Sequence, residues 1–121
     1  MVLVDTSVWV DHLRKSSQEL CAMLENEQVA IHPFVIGELA CGNLKNRTAI
    51  LALLHSLPHV PRIEDDEILF FIDKHSLAGR GLGLIDIHLL AASQMSRHPI
   101  WTKDKRLKAV AEDTGLDLGQ H

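Results

Sequence analysis

The sequence predicts an α/β fold, a parallel β-sheet of about four strands sandwiched by helices in three layers, α/β/α. Two observations carry this. Short apolar runs, namely Val2-Leu3-Val4, Val29-Ala30-Ile31, Pro99-Ile100-Trp101 and a weaker Leu116-Asp117-Leu118, alternate with longer segments of helical character. The connections between them are short, with no internal repeat, low-complexity tract or linker in the 121 residues. One domain over residues 1–121 is the expectation at this length.

Each element has a local reason. Val2-Leu3-Val4 is a short buried strand stopped by the polar triplet Asp5-Thr6-Ser7. A helix follows, with Ser7 as cap and Val8, Trp9, Val10 and Leu13 as its apolar content. Ser16 or Ser17 starts a second helix, in which Leu20, Met23 and Leu24 share a face. The strand at Val29-Ala30-Ile31 ends at His32-Pro33, and Pro33 suits the opening of a helix from Phe34 to Cys41. Arg47 to Leu57 is helical and closes before Pro58. After a connector, a helix runs from Glu64 to about Leu77. Its Glu64-Asp65-Asp66-Glu67 start matches the helix dipole better than a calcium site. The link Gly79-Arg80-Gly81-Leu82-Gly83 leads to a helix from Leu84 to Arg97, then to the strand ending at Trp101. Asp104 begins a short helix through Ala111, and Leu116-Asp117-Leu118 is the last strand.

Composition narrows the function classes. No apolar run approaches the roughly 18 residues of a membrane span. The N-terminus lacks a charged n-region and a small-residue cleavage site, so a cytoplasmic protein is expected rather than an exported one. Cys21 and Cys41 match no C-x-x-C pattern, and buried reduced thiols are the expectation. Sixteen acids against 12 bases, a formal charge of −4, disfavour a broad basic surface for duplex DNA. Few aromatics and no tyrosine disfavour a base-stacking platform. The glycines at 79, 81 and 83 follow no strand and fit a dinucleotide fingerprint poorly. His55 and His59 are separated by the break at Pro58, which argues against zinc there. His88 is expected on a different face from Asp86, and Trp9, Phe34 and the Phe70-Phe71 pair in packing.

Four acids stand against the hydrophobic pattern. Asp5 and Asp104 follow apolar runs and so fall at the carboxyl ends of strands, the edge where open parallel sheets bind ligands. Glu38 has Phe34, Val35, Cys41 and Gly42 as helical neighbours, an apolar stripe rather than a wet face. Asp86 has Leu82, Gly83, Leu89 and Leu90, and sits in a first helical turn. Each has a plain structural reading: helix caps for Asp5 and Asp104, a buried acid paired with arginine for Glu38, a dipole-matched acid for Asp86. Together they suggest a site, since converging carboxylates repel unless a cation neutralises them. Hard oxygen donors without a cysteine or histidine cluster point to Mg²⁺ or Mn²⁺ rather than zinc.

The segments Val2-Leu3-Val4-Asp5-Thr6-Ser7-Val8-Trp9, Ile36-Gly37-Glu38-Leu39, Gly83-Leu84-Ile85-Asp86 and Trp101-Thr102-Lys103-Asp104 resemble, in this order, the motifs of the PIN-domain ribonucleases. The short chain is similar to the VapC toxins of prokaryotic toxin–antitoxin pairs, from Val2 to about Leu118. The resemblance implies that Asp5, Glu38, Asp86 and Asp104 are the catalytic acids and hold Mg²⁺ or Mn²⁺. Thr6 or Ser7 and Thr102 then match hydroxyls that bond to the acids. It further implies RNA hydrolysis by metal-activated water, a homodimer, and a cognate antitoxin whose C-terminal segment occupies a groove near the site. One position departs. Some relatives carry another acid two residues after the Thr-x-Asp aspartate, where this chain has Arg106. That bears on a second metal position and offers a phosphate contact instead.

Lys103, Lys105, Arg106 and Lys108 cluster near the expected site, either to position phosphate or as a solvated helix face. Arg80, between two glycines, can reach RNA from its loop. A competing reading is a non-catalytic, Mg²⁺-binding receiver-like module, which usually presents an acid pair after its first strand; here Thr6 and Ser7 follow Asp5. A phosphohydrolase with Asp5 as nucleophile would need its second aspartate where Ser7 stands.

Overall fold

A computed structural model describes residues 1–119 of the chain. In order they form β1 (Val2–Val4), α1 (Thr6–Arg14), α2 (Gln18–Glu25), β2 (Val29–Ala30), α3 (Pro33–Ala40), α4 (Arg47–Ser56), α5 (Asp65–Lys74), α6 (Leu84–Ser96), β3 (Ile100–Trp101) and α7 (Lys105–Asp113). The strands pair in parallel in the order β2-β1-β3, with Leu3 opposite both Ala30 and Ile100. Every strand residue is buried, as a sheet covered by helices on both faces requires. Leu3, Trp9, Leu20, Leu54, Leu89, Leu90 and Leu107 are among the fully buried side chains of the core around it.

Among the described residues the sheet has three strands rather than about four. The last expected strand is reduced to a single bridge, Ile100 to Asp117, framed by Ile100 N–H to Leu116 O (2.8 Å) and Leu118 N–H to Ile100 O (2.9 Å). The Asp117 carboxylate then takes the N–H of Gly119 at 2.8 Å, and that local turn ends the pairing. On the other edge Ile31 bridges to His59, within a segment that reads in sequence as a plain connector. The pairing stops after Val60 because the next bond of the parallel ladder would run from an N–H at position 33 to Val60 O, and Pro33 has none to donate.

Helix boundaries differ where caps intervene. Asp5, not Ser7, caps α1, accepting the N–H of Ser7 at 3.4 Å. α5 ends at Lys74 rather than near Leu77. Ser76 turns left-handed (φ 53°), and the N–H groups of Ser76 and Leu77 return to Asp73 O and Ile72 O. Leu77 is buried as the apolar plug of that cap, which explains its helical appearance in sequence. α7 extends to Asp113, two residues past the expected end at Ala111.

Two burial expectations fail. Cys41 is exposed and Cys21 only half-buried, both free thiols. Phe71 joins the core, whereas Phe70 is 66% exposed. Trp9 packs inside as expected, at 1% exposure. Among the described residues no helix is long and apolar enough to cross a membrane.

Candidate functional site

The parallel register brings two chain segments to one sheet edge. β1 and β3 are neighbours and both end there, so Asp5 follows one strand and Thr102-Lys103-Asp104 the other. Pairing continues one step beyond β1, through Asp5 N–H to Trp101 O at 2.9 Å. Asp5 is buried, at 6% exposure. Its Oδ2 accepts hydroxyl bonds from Ser7 Oγ (2.7 Å) and Thr102 Oγ1 (2.7 Å). Ser7 Oγ also accepts the N–H of Lys103 (2.9 Å), and Thr102 Oγ1 that of Asp104 (3.0 Å). The two hydroxyls thereby tie both strand ends into one network.

The remaining acids arrive on helices. Asp104 caps α7, its Oδ1 accepting the N–H groups of Arg106 (2.9 Å) and Leu107 (3.1 Å). Asp86 lies in the first turn of α6, where its Oδ2 takes the N–H of Gly83 at 3.1 Å. Glu38, on α3, accepts a 2.6 Å bond from Thr6 Oγ1 on Oε1. Its expected place on an apolar stripe is corrected. Val35, Ile36 and Leu39 form the buried face of α3, and Glu38 is exposed with Gly37 beside it.

A common pattern emerges. Each of the four carboxylates is held through one oxygen, while the other accepts no hydrogen bond among the described residues. Nor does any of the four join an ion pair there; two of the nearby cations face other acids, Arg80 with Asp113 (2.8 Å) and Lys103 with Asp11 (2.7 Å). Burial pushes the Asp86 carboxyl above its ordinary pKa, against the Gly83 N–H, and the charges of Asp5, Asp104 and Glu38 push it further. Asp86 therefore feels all three other acids. Among the described residues no three acid, histidine or cysteine side chains stand as a ready-made coordinating group. The donor set is entirely hard oxygen, the kind suited to Mg²⁺ or Mn²⁺.

Some supporting features were not anticipated. His32 caps α3 by accepting the N–H of Phe34 on Nδ1 at 2.9 Å, a role sequence reading missed because histidine is not among the favoured caps. Burial, then the neighbouring His88, Arg62 and His59, hold its pKa down to about 4, so the ring stays neutral at the positive helix end. His88 is buried beside it, with ring centroids 6.2 Å apart, on a different face from half-exposed Asp86, as expected. The Arg106 side chain lies across Gly81, where a Cβ would stand 3.1 Å from its Cδ. A groove of about 550 Å³ opens beside Glu38, lined in part by Val10, Leu13, Leu39 and Ile50.

Residues 2–113 match the PIN domain family. The chain is similar to Ribonuclease VapC32 of Mycobacterium tuberculosis, in strains CDC 1551 and H37Rv. It is 41% identical over 121 residues, covering 99% of this chain and 98% of that protein.

Proposed function

This chain belongs to the PIN-domain family, and on that premise we propose that it is a Mg²⁺- or Mn²⁺-dependent endoribonuclease, the toxin of a VapBC-type toxin–antitoxin pair acting in the cytoplasm. The observation that supports this best is the set of four carboxylates, Asp5, Glu38, Asp86 and Asp104, each with one oxygen bonded and one open, and none paired with a cation among the described residues. These four are the proposed metal ligands. When bound, a divalent cation lowers the pKa of an attacking water and offsets charge on the phosphate under attack.

The chain's own groups prepare that chemistry. Ser7 and Thr102 donate to the same oxygen of Asp5, which fixes the carboxylate and leaves its other oxygen free to take a cation. Thr6 fixes Glu38, and the Gly83 N–H fixes Asp86. Lys105 and Arg106, exposed at the start of α7, supply positive charge for the RNA backbone, with Lys103 and Arg80 able to exchange their exposed acid partners for phosphate.

Two partners follow. The groove beside Glu38 is lined by apolar side chains together with Arg14 and Lys45. An antitoxin's C-terminal segment laid there would cover the site's approach. For the homodimer, α5 offers a self-complementary stripe: Phe70 at its centre, Asp66 one turn before and Lys74 one turn after. Two copies packed antiparallel about Phe70 would set each Asp66 against the other's Lys74, with exposed Leu69 and Met95 alongside.

The deciding experiment is sequencing of RNA ends after induction of wild type and Asp5→Asn in the host. New ends with wild type alone are expected. If purified protein free of antitoxin binds Mn²⁺ yet cleaves no host RNA, the ribonuclease assignment fails.

A further inference from the structure

Resting on the ribonuclease reading, we propose that Arg106 is the residue that grips a backbone phosphate of the RNA beside the four acids. Arg106 is exposed on the first turn of α7, two residues after Asp104. Its surroundings separate it from the other local cations. Arg80, Lys103 and Lys108 each face a carboxylate, of Asp113, Asp11 and Asp117 respectively. Arg106 has no carboxylate partner among the described residues, so its charge is available.

It is also braced. A Cβ at Gly81 would meet Arg106 Cδ and Nη1 at 3.1 Å and Cζ at 3.4 Å, so the guanidinium lies against the bare backbone of that glycine. Gly81 holds φ at +79°, which L side chains rarely adopt, and the close approach adds a second reason for glycine there. The braced group has less rotamer freedom to lose on binding than a free lysine such as Lys105. A guanidinium also presents paired N–H donors that match two oxygens of a phosphate.

Position supplies the rest. Gly81 belongs to the loop whose last residue, Gly83, holds Asp86, and Arg106 belongs to the helix that Asp104 caps. The guanidinium thus bridges the two segments that deliver these acids. The N–H groups of Arg106 and Leu107 are already taken by Asp104 Oδ1, so the backbone at this helix start does not serve as an anion site. The side chain must do so.

The test is binding of a short labelled single-stranded RNA in Ca²⁺, over a series of salt concentrations, for wild type, Arg106→Gln, Arg106→Lys and Gly81→Ala. Arg106→Gln should weaken binding roughly tenfold, the loss of one charge-assisted contact. It should also reduce the slope of log affinity against log salt by about 0.7, the value for one phosphate on a single strand. Arg106→Lys should keep the slope and lose part of the affinity. Gly81→Ala should weaken binding by displacing the guanidinium, with helical content unchanged by circular dichroism. Unchanged affinity and slope in Arg106→Gln, with wild type binding and cleaving RNA, overturns the role of Arg106 and leaves the ribonuclease reading intact. A wild type that neither binds nor cleaves RNA overturns that reading and this inference with it.

Discussion

Thr102 Oγ1 donates a 2.7 Å hydrogen bond to Asp5 Oδ2, joining residues 97 positions apart at the ends of adjacent parallel strands. The bond is buried, and it leaves the carboxylate's second oxygen clear. Thr102→Val keeps the side chain's shape but removes the donor. Affinity for Mn²⁺ is expected to fall about 10- to 100-fold, as when a metal ligand loses its supporting bond. Thr102→Ser should restore most of it. Calorimetric titration of the three proteins with Mn²⁺ measures this, and equal affinity in Thr102→Val would show the bond to be structural only.

Neutralising any one of the four acids should remove cleavage without unfolding the chain. Asp5→Asn, Glu38→Gln, Asp86→Asn and Asp104→Asn are each expected to lower the rate on RNA by roughly a hundredfold or more, at least the upper range for losing an outer partner. Each replacement retains an oxygen that can accept the same local hydrogen bond. Retained activity in one variant would remove that residue from the proposed ligand set.

Asp86 gives a pH signature. Its folded pKa is raised, by burial first and the other acids after, above the unfolded value near 3.8. The metal-free folded state therefore takes up this proton more readily than the unfolded chain. Its ionised form lowers stability at neutral pH, and that penalty is relieved as pH falls through the raised pKa. In EDTA at neutral pH, Asp86→Asn should melt higher than wild type, and the gap should close on acidification. Mg²⁺ should raise the wild-type Tm, by about 2.7 kcal/mol of stability at a hundredfold excess over its Kd, and do little for the variant. A variant that melts lower in EDTA at neutral pH would contradict this account.

Phe70, 66% exposed at the middle of α5, should govern self-association. In size exclusion with light scattering, wild type is expected to run as a dimer and Phe70→Glu as a monomer. Lys74→Glu should weaken the dimer, and adding Asp66→Lys should restore it by exchanging the charges. A monomeric wild type would dispose of the interface.

Much of the candidate site could be read along the chain because its acids break local rules. Asp5 and Asp104 end apolar runs, and Asp86 sits in a first turn among leucines. Glu38 does not break the rule that its neighbours suggest, since its flank of α3 faces solvent. The helical neighbours of a residue show which side chains share its stripe, but not whether another element covers that stripe. The same gap explains Cys41 and Phe70, both apolar in sequence and exposed in the fold.

The sequence by itself determined the alternation of buried strands with helices, helix starts at Ser16 or Ser17 and at Pro33, and the residue types able to hold a hard cation. These depend on periodicity, caps and side-chain chemistry, all local properties. The tertiary structure alone decided that β1 lies between β2 and β3, and hence that Asp5 and Thr102 meet. It also decided that Arg80 and Lys103 face acids while Arg106 rests on Gly81, and that the last strand shrinks to one bridge. Pairing between distant segments depends on which surfaces are buried together. That is a property of the whole packed chain, and no window of neighbouring residues contains it.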